Sequence, residues 1–129
     1  MSHILIEHSA NLRERINLPR FVQAIHEAAL ATGMLPGSGA RTCEATRRGA
    51  ADPDAVFVHL AVRVGRGRDP AARRQVCEHL FAAACAQLSG LHGRMPLGIS
   101  VEVQARELAP AVTPDNIEDY AGHRRLRSA

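Results

Sequence analysis

Two strand–helix–strand units in tandem, forming an α+β chain with a four-stranded sheet and two helices on one face, are the fold the sequence predicts. Three features point to it. The segments run strand, helix, strand, strand, helix, strand; each helical segment opens on Asn or Asp with a proline in its first turn; and the strand segments are short, apolar or strictly alternating. Two βαβ units in series share one crossover hand, which places both helices on the same side of the sheet.

The first strand is HILIE, His3 to Glu7, whose apolar centre suggests burial on both faces. A loop, HSANLRERIN, follows. Asn17 then caps a helix with Pro19 in its first turn; Leu18, Phe21, Val22, Ile25 and Ala29 recur at spacings of three and four, and Gly33 stops it. MLPGSGA is a loop, Arg41 to Thr46 a weak strand, and GAADPD a turn. VFVHLAVRV, Val56 to Val64, sets Val56, Val58, Leu60, Val62 and Val64 on one face against Phe57, His59, Ala61 and Arg63 on the other. After GRGRDP, Asp69 caps a second helix with Pro70 at its first position. Its expected stripe is Val76, Cys77, Leu80, Phe81, Ala84, Cys85 and Leu88, ended by Ser89-Gly90. The last strand, GISVEVQ, alternates Ile99, Val101 and Val103 against Ser100, Glu102 and Gln104. Beyond Arg106 a short helix is expected near Pro114 to Tyr120, then an Arg-rich end.

At 129 residues the chain suits one domain, 1–129, whose tail 106–129 either packs on a neighbouring subunit or frays. Only four residues are aromatic, so the core is aliphatic, with Phe57 and Phe81 assigned to it. Two helices cover one sheet face. The other face needs water or another subunit, and Phe57 and Ala61 behind the valine row favour a subunit.

The formal net charge is +3, and all sixteen cationic side chains are arginine. Any anion held here is therefore held by guanidinium forks, which suit carboxylates and phosphates. The three cysteines lack CxxC spacing, and buried free thiols in a reducing compartment are expected. IEHSANLRER follows the first residues where a leader would be apolar, and no run reaches transmembrane length, so a cytoplasmic protein is expected.

Several chemistries are weak on pattern alone. GRGRDP lies between a strand and a helix N-terminus but lacks GxxxxGK[ST] and GxGxxG spacing; a solvated turn explains it equally well. The seven histidines form no HExxH or finger pair, so no metal is expected: His59 reads as a satisfied structural residue, and His26, His79 and His92 as surface. The arginine pairs are not interleaved with aromatics, which leaves only non-specific attraction to nucleic acid. No GxSxG turn supports a serine hydrolase. Neither nucleic acid nor membrane is an expected partner.

SHILIEHSANL, LATGMLPGSGAR, DAVFVHLAVRVGRGR and SVEVQ, taken together, resemble the 5-carboxymethyl-2-hydroxymuconate isomerase family of the tautomerase superfamily, from the N-terminus to about Pro110. The resemblance implies a tautomerase-like trimer of tandem βαβ subunits that is cofactor-independent and acts on a dicarboxylate intermediate of aromatic (homoprotocatechuate) catabolism. It also implies a mechanism. An N-terminal proline amine, exposed by loss of the initiator Met, moves a proton along a dienol diacid to give the conjugated ketone, while arginines orient the carboxylates and stabilise the developing enolate. The family's two arginines fall on Arg41, in the GxR segment, and Arg68, which closes the Gly-rich turn; His3 falls at the pocket lip. Where the family has proline, this chain has Ser2.

Three readings follow. If Met1 is removed, as a small second residue permits, the α-amine of Ser2 replaces the proline base, and the chain is an isomerase of altered efficiency. If Met1 stays, it is a non-catalytic relative that binds a small carboxylated metabolite or acts as a trimeric interaction protein. In the third, only the fold is shared and the arginine-rich surface serves an unrelated partner.

Overall fold

The computed structural model describes residues 2–35, 40–47, 53–64 and 69–105. Its elements are β1 (Ser2–Ser9), α1 (Leu12–Arg15), α2 (Leu18–Ala31), β2 (Ala40–Arg47), β3 (Val56–Val64), α3 (Pro70–Gln87) and β4 (Leu97–Ala105). The sheet order is β2-β1-β3-β4. β1 pairs parallel with β2, β3 parallel with β4, and the two units join through the antiparallel β1–β3 pair. This is the tandem βαβ sheet expected from the sequence.

Both helix starts form as their sequences dictate. The Asn17 side chain accepts the Arg20 N–H at 3.2 Å, and the Asp69 carboxylate accepts the Ala72 N–H at 2.7 Å. Each satisfies one orphan donor of a first turn, and the proline beside each cap has no N–H to satisfy. Gly33, at φ +70°, lies in the left-handed region that glycine enters without steric cost, and it closes α2 where expected.

The valine face of β3 is the covered one. Val56, Val58, Leu60, Val62 and Val64 are buried with Ile4 and Ile6 of β1 beneath Phe21, Ile25 and Ala29 of α2 and Val76, Leu80 and Ala84 of α3. The opposite face carries Leu5, Phe57, His59 and Ala61, half-buried, and Arg63, exposed.

Several expectations change. The stretch 8–17 is not all loop: β1 runs on to Ser9, and Leu12–Arg15 makes one helical turn anchored by buried Leu12. Phe81 is 44% exposed rather than core, because Val76, Leu80, Ala84 and Leu88 already fill the buried stripe of α3 and Phe81 sits a step around the helix. Phe57 is only half-buried, on the open face. Cys43 is exposed on β2 and Cys77 and Cys85 are half-buried, so the free thiols are less enclosed than expected. His26 is not simply surface: half-buried, its Nδ1 lies 2.7 Å from Thr42 Oγ1 and ties α2 to β2. The expected helix near Pro114 to Tyr120 and the tail lie outside the described residues.

Candidate active site

Ser2 is the first residue of β1 and is 3% exposed. Strand alternation turns its side chain to the helix side with Ile4 and Ile6, and its neighbour His3 to the open face. His3 pairs with Arg41 on β2 and with Arg63 on β3, and Arg63 pairs in turn with Gln104 on β4. The end of the sheet that holds Ser2 is therefore crossed by a row of two arginines, a histidine and an amide.

Below that row is a concavity of about 320 Å³ lined by His3, Leu5, Cys43, Ala61 and Arg63. Of the residues implied by the resemblance, the structure brings Ser2 and His3 to this end directly and places the Arg41 backbone beside His3. The Arg41 side chain and all of Arg68 lie outside the described residues. Arg63 is a member of the site that the sequence reading did not single out. Its only sequence signal is its alternation with the valine row; that it stands against His3 needs the antiparallel register.

The rest of the open face is internally paired. Arg47 grips Glu7 through two hydrogen bonds of 3.1 Å. His59 has Ser100 Oγ at 2.6 Å on Nδ1 and Glu102 at 3.2 Å on Nε2, which makes it the satisfied histidine expected. At the far end of β1, buried His8 donates from Nδ1 to the Ser9 carbonyl at 2.8 Å, and its Nε2 meets Glu44 at 2.9 Å. Among the described residues no group of His, Cys, Asp and Glu could hold a metal, and no helix is long and apolar enough to cross a membrane. A larger hollow of about 530 Å³ adjoins the first half of α2, lined among others by Asn17, Arg20 and Glu27. None of the residues implied by the resemblance borders it, so the smaller pocket is the better site.

The Arg47 hydrogen bond, aided by the charges of Arg47 and His59 and opposed by burial, holds the Glu7 carboxyl below its ordinary value of 4.5. A carboxyl depressed on folding stabilises the native state above its unfolded value, and that contribution is lost as pH falls through the folded value. Replacing Glu7 with Gln should thus lower stability near neutrality and close the gap to the unsubstituted protein below about pH 4.5. Denaturant midpoints measured across that range check this; an equal gap at every pH would contradict it.

The comparisons with known proteins agree with one another. The family described as 5-carboxymethyl-2-hydroxymuconate isomerase matches residues 2–120. The 5-carboxymethyl-2-hydroxymuconate Delta-isomerase of Escherichia coli is 28% identical over 116 residues, covering 87% of this chain and 90% of its own. Among solved structures, a 5-carboxymethyl-2-hydroxymuconate delta-isomerase superposes with a TM-score of 0.83 at 21% identity, covering 94% of this chain and 93% of its own. A 5-carboxymethyl-2-hydroxymuconate isomerase from Deinococcus radiodurans R1 gives a TM-score of 0.78 at 24% identity, covering 93% of each chain. The two structures establish the fold, and the family match takes in Ser2 and both strand–helix–strand units: the chain belongs to the 5-carboxymethyl-2-hydroxymuconate isomerase family.

Proposed function

We propose that this chain catalyses the isomerisation its family is named for, moving a proton along a carboxylated dienol to give the conjugated ketone. The observation that carries the proposal is the family match over residues 2–120, which starts on the residue that would supply the base. With Met1 removed, the α-amine of Ser2 takes the hydroxyl proton of the dienol and a proton is delivered to carbon at the far end of the conjugated system. Arg41 and Arg68 bind the substrate's carboxylates and offset the charge that builds on the enolate oxygen; His3 borders the site. No step requires a cofactor.

The functional unit is a homotrimer in the cytoplasm. The half-buried Leu5, Phe57 and Ala61 on the uncovered sheet face support a subunit contact there, and three free cysteines suit a reducing compartment. One observation favours a second reading, a non-catalytic binder of a small carboxylated metabolite: Ser2 stands where the resemblance implies proline.

The test is direct. Purified protein mixed with 5-carboxymethyl-2-hydroxymuconate should speed the loss of dienol absorbance above the buffer rate, and sedimentation should give three times the chain mass. Binding of this compound without acceleration would select the non-catalytic reading.

A further inference from the structure

A serine at the head of β1 gives the chain a nitrogen with chemistry that a proline lacks. Ser2 is 3% exposed and opens an inner strand of the sheet, paired with Ala40 on β2. Two residues further in, Ile4 stands opposite Val62 on the same face, both 0% exposed. With Met1 removed, the α-amine is therefore held at the fixed end of a paired strand, beside an aliphatic core.

A primary amine in that place is a nucleophile as well as a base. It adds to a ketone carbon and expels water: the nitrogen gives up both hydrogens, the carbonyl oxygen leaves with them, and a neutral C=N bond remains. Proline has one hydrogen to give, so its condensation product keeps a positive charge. A charge beside an aliphatic core costs far more than a neutral group there, and the serine amine avoids that cost. It is also uncharged in larger share near neutrality than a lysine would be, since α-amines ordinarily titrate near 8 and lysines near 10.4.

The ketone it captures is an acid. All sixteen cationic side chains are arginine, which grips a carboxylate in a fork yet stays charged and does not add to carbonyls. On the isomerase reading, the 2-hydroxy dienol becomes a 2-oxo acid, which places a carbonyl of this kind beside Ser2.

We infer that the α-amine of Ser2 captures 2-oxo acids reversibly as an imine, a second chemistry at the nitrogen that serves isomerisation as base. The class of ketone rests on the isomerase reading; the nucleophile does not.

The intact protein is incubated near neutral pH with 2-oxoadipate and cyanoborohydride, and its mass is followed. The reductant fixes imines and leaves thiol and imidazole adducts unfixed, and a chain without lysine has one aliphatic amine to trap. One reduced oxo acid per chain should appear, mapping to Ser2, roughly tenfold or more faster than on the free peptide Ser-His-Ile-Leu-Ile-Glu, because the folded site holds amine and acid together. Adipate, which has no ketone, should slow the trapping by competition. Ser2→Leu, whose bulky second residue retains Met1, should be trapped no faster than the peptide. The inference is overturned if the protein reacts at the peptide's rate, if acetone is trapped as fast as 2-oxoadipate, if Ser2→Leu matches the unsubstituted chain, or if protein from its native host still carries Met1. The two proposals fail separately. Selective trapping without dienol turnover sinks the isomerase reading and keeps the imine, whereas turnover without trapping does the reverse.

Discussion

Acylating the α-amine of the mature chain should abolish turnover, by about a hundredfold to ten-thousandfold, the usual contribution of a positioned general base. The chain has no lysine, so an amine-directed reagent has one aliphatic amine to find. In most proteins the same reagent would modify many surface groups and the loss would be ambiguous. Ser2→Ala separates the amine from the hydroxyl: it keeps a small residue behind Met1, and it should retain activity if the amine is the base. The pH dependence follows from the same chemistry. An α-amine accepts a proton only when uncharged, so the rate should fall as pH drops through a value near 8, the ordinary range for such a group. Full activity in a fully acylated chain, confirmed by intact mass, would place the base elsewhere. An intact mass that includes Met1, measured on protein from its native host, would leave the binder reading standing.

Leu60→Ala should be the most damaging substitution in the core, at about 2–5 kcal/mol, read as a shift in denaturant midpoint at fixed protein concentration. Leu60 is 0% exposed and sits in β3, the inner strand that pairs with Ile6 of β1 and Val101 of β4. It therefore lies where the two βαβ units join, with both helices above it, and a cavity there cannot be filled by movement of one edge. Phe81→Ala removes a larger side chain, yet Phe81 is 44% exposed, and the change should stay within about 0.5 kcal/mol. If Phe81→Ala cost more than Leu60→Ala, the assignment of covered and open faces would be wrong, or Phe81 would be buried against another subunit.

Much of the fold is local and was legible for that reason. Asn17 and Asp69 cap their helices through bonds that span three residues, and the valine alternation of β3 needs only the period of a strand. The single turn at Leu12–Arg15 was missed because four residues are too few to show a period. Phe81 was misplaced because spacings of three and four draw a stripe wider than the surface a two-helix layer can cover.

The sequence by itself determined the order of elements, the capped helices, the buried valine row and the resemblance that makes Ser2 the residue in question. It carried no information on what faces His3. Arg63 is sixty positions away in the chain, and it meets His3 only because β1 and β3 run antiparallel in one register; a slip of one residue would turn Arg63 under the helices. Tertiary structure alone decided which arginine stands beside the pocket, and that Glu7 and Glu102 have other partners, because these are facts of cross-strand pairing and not of any local period.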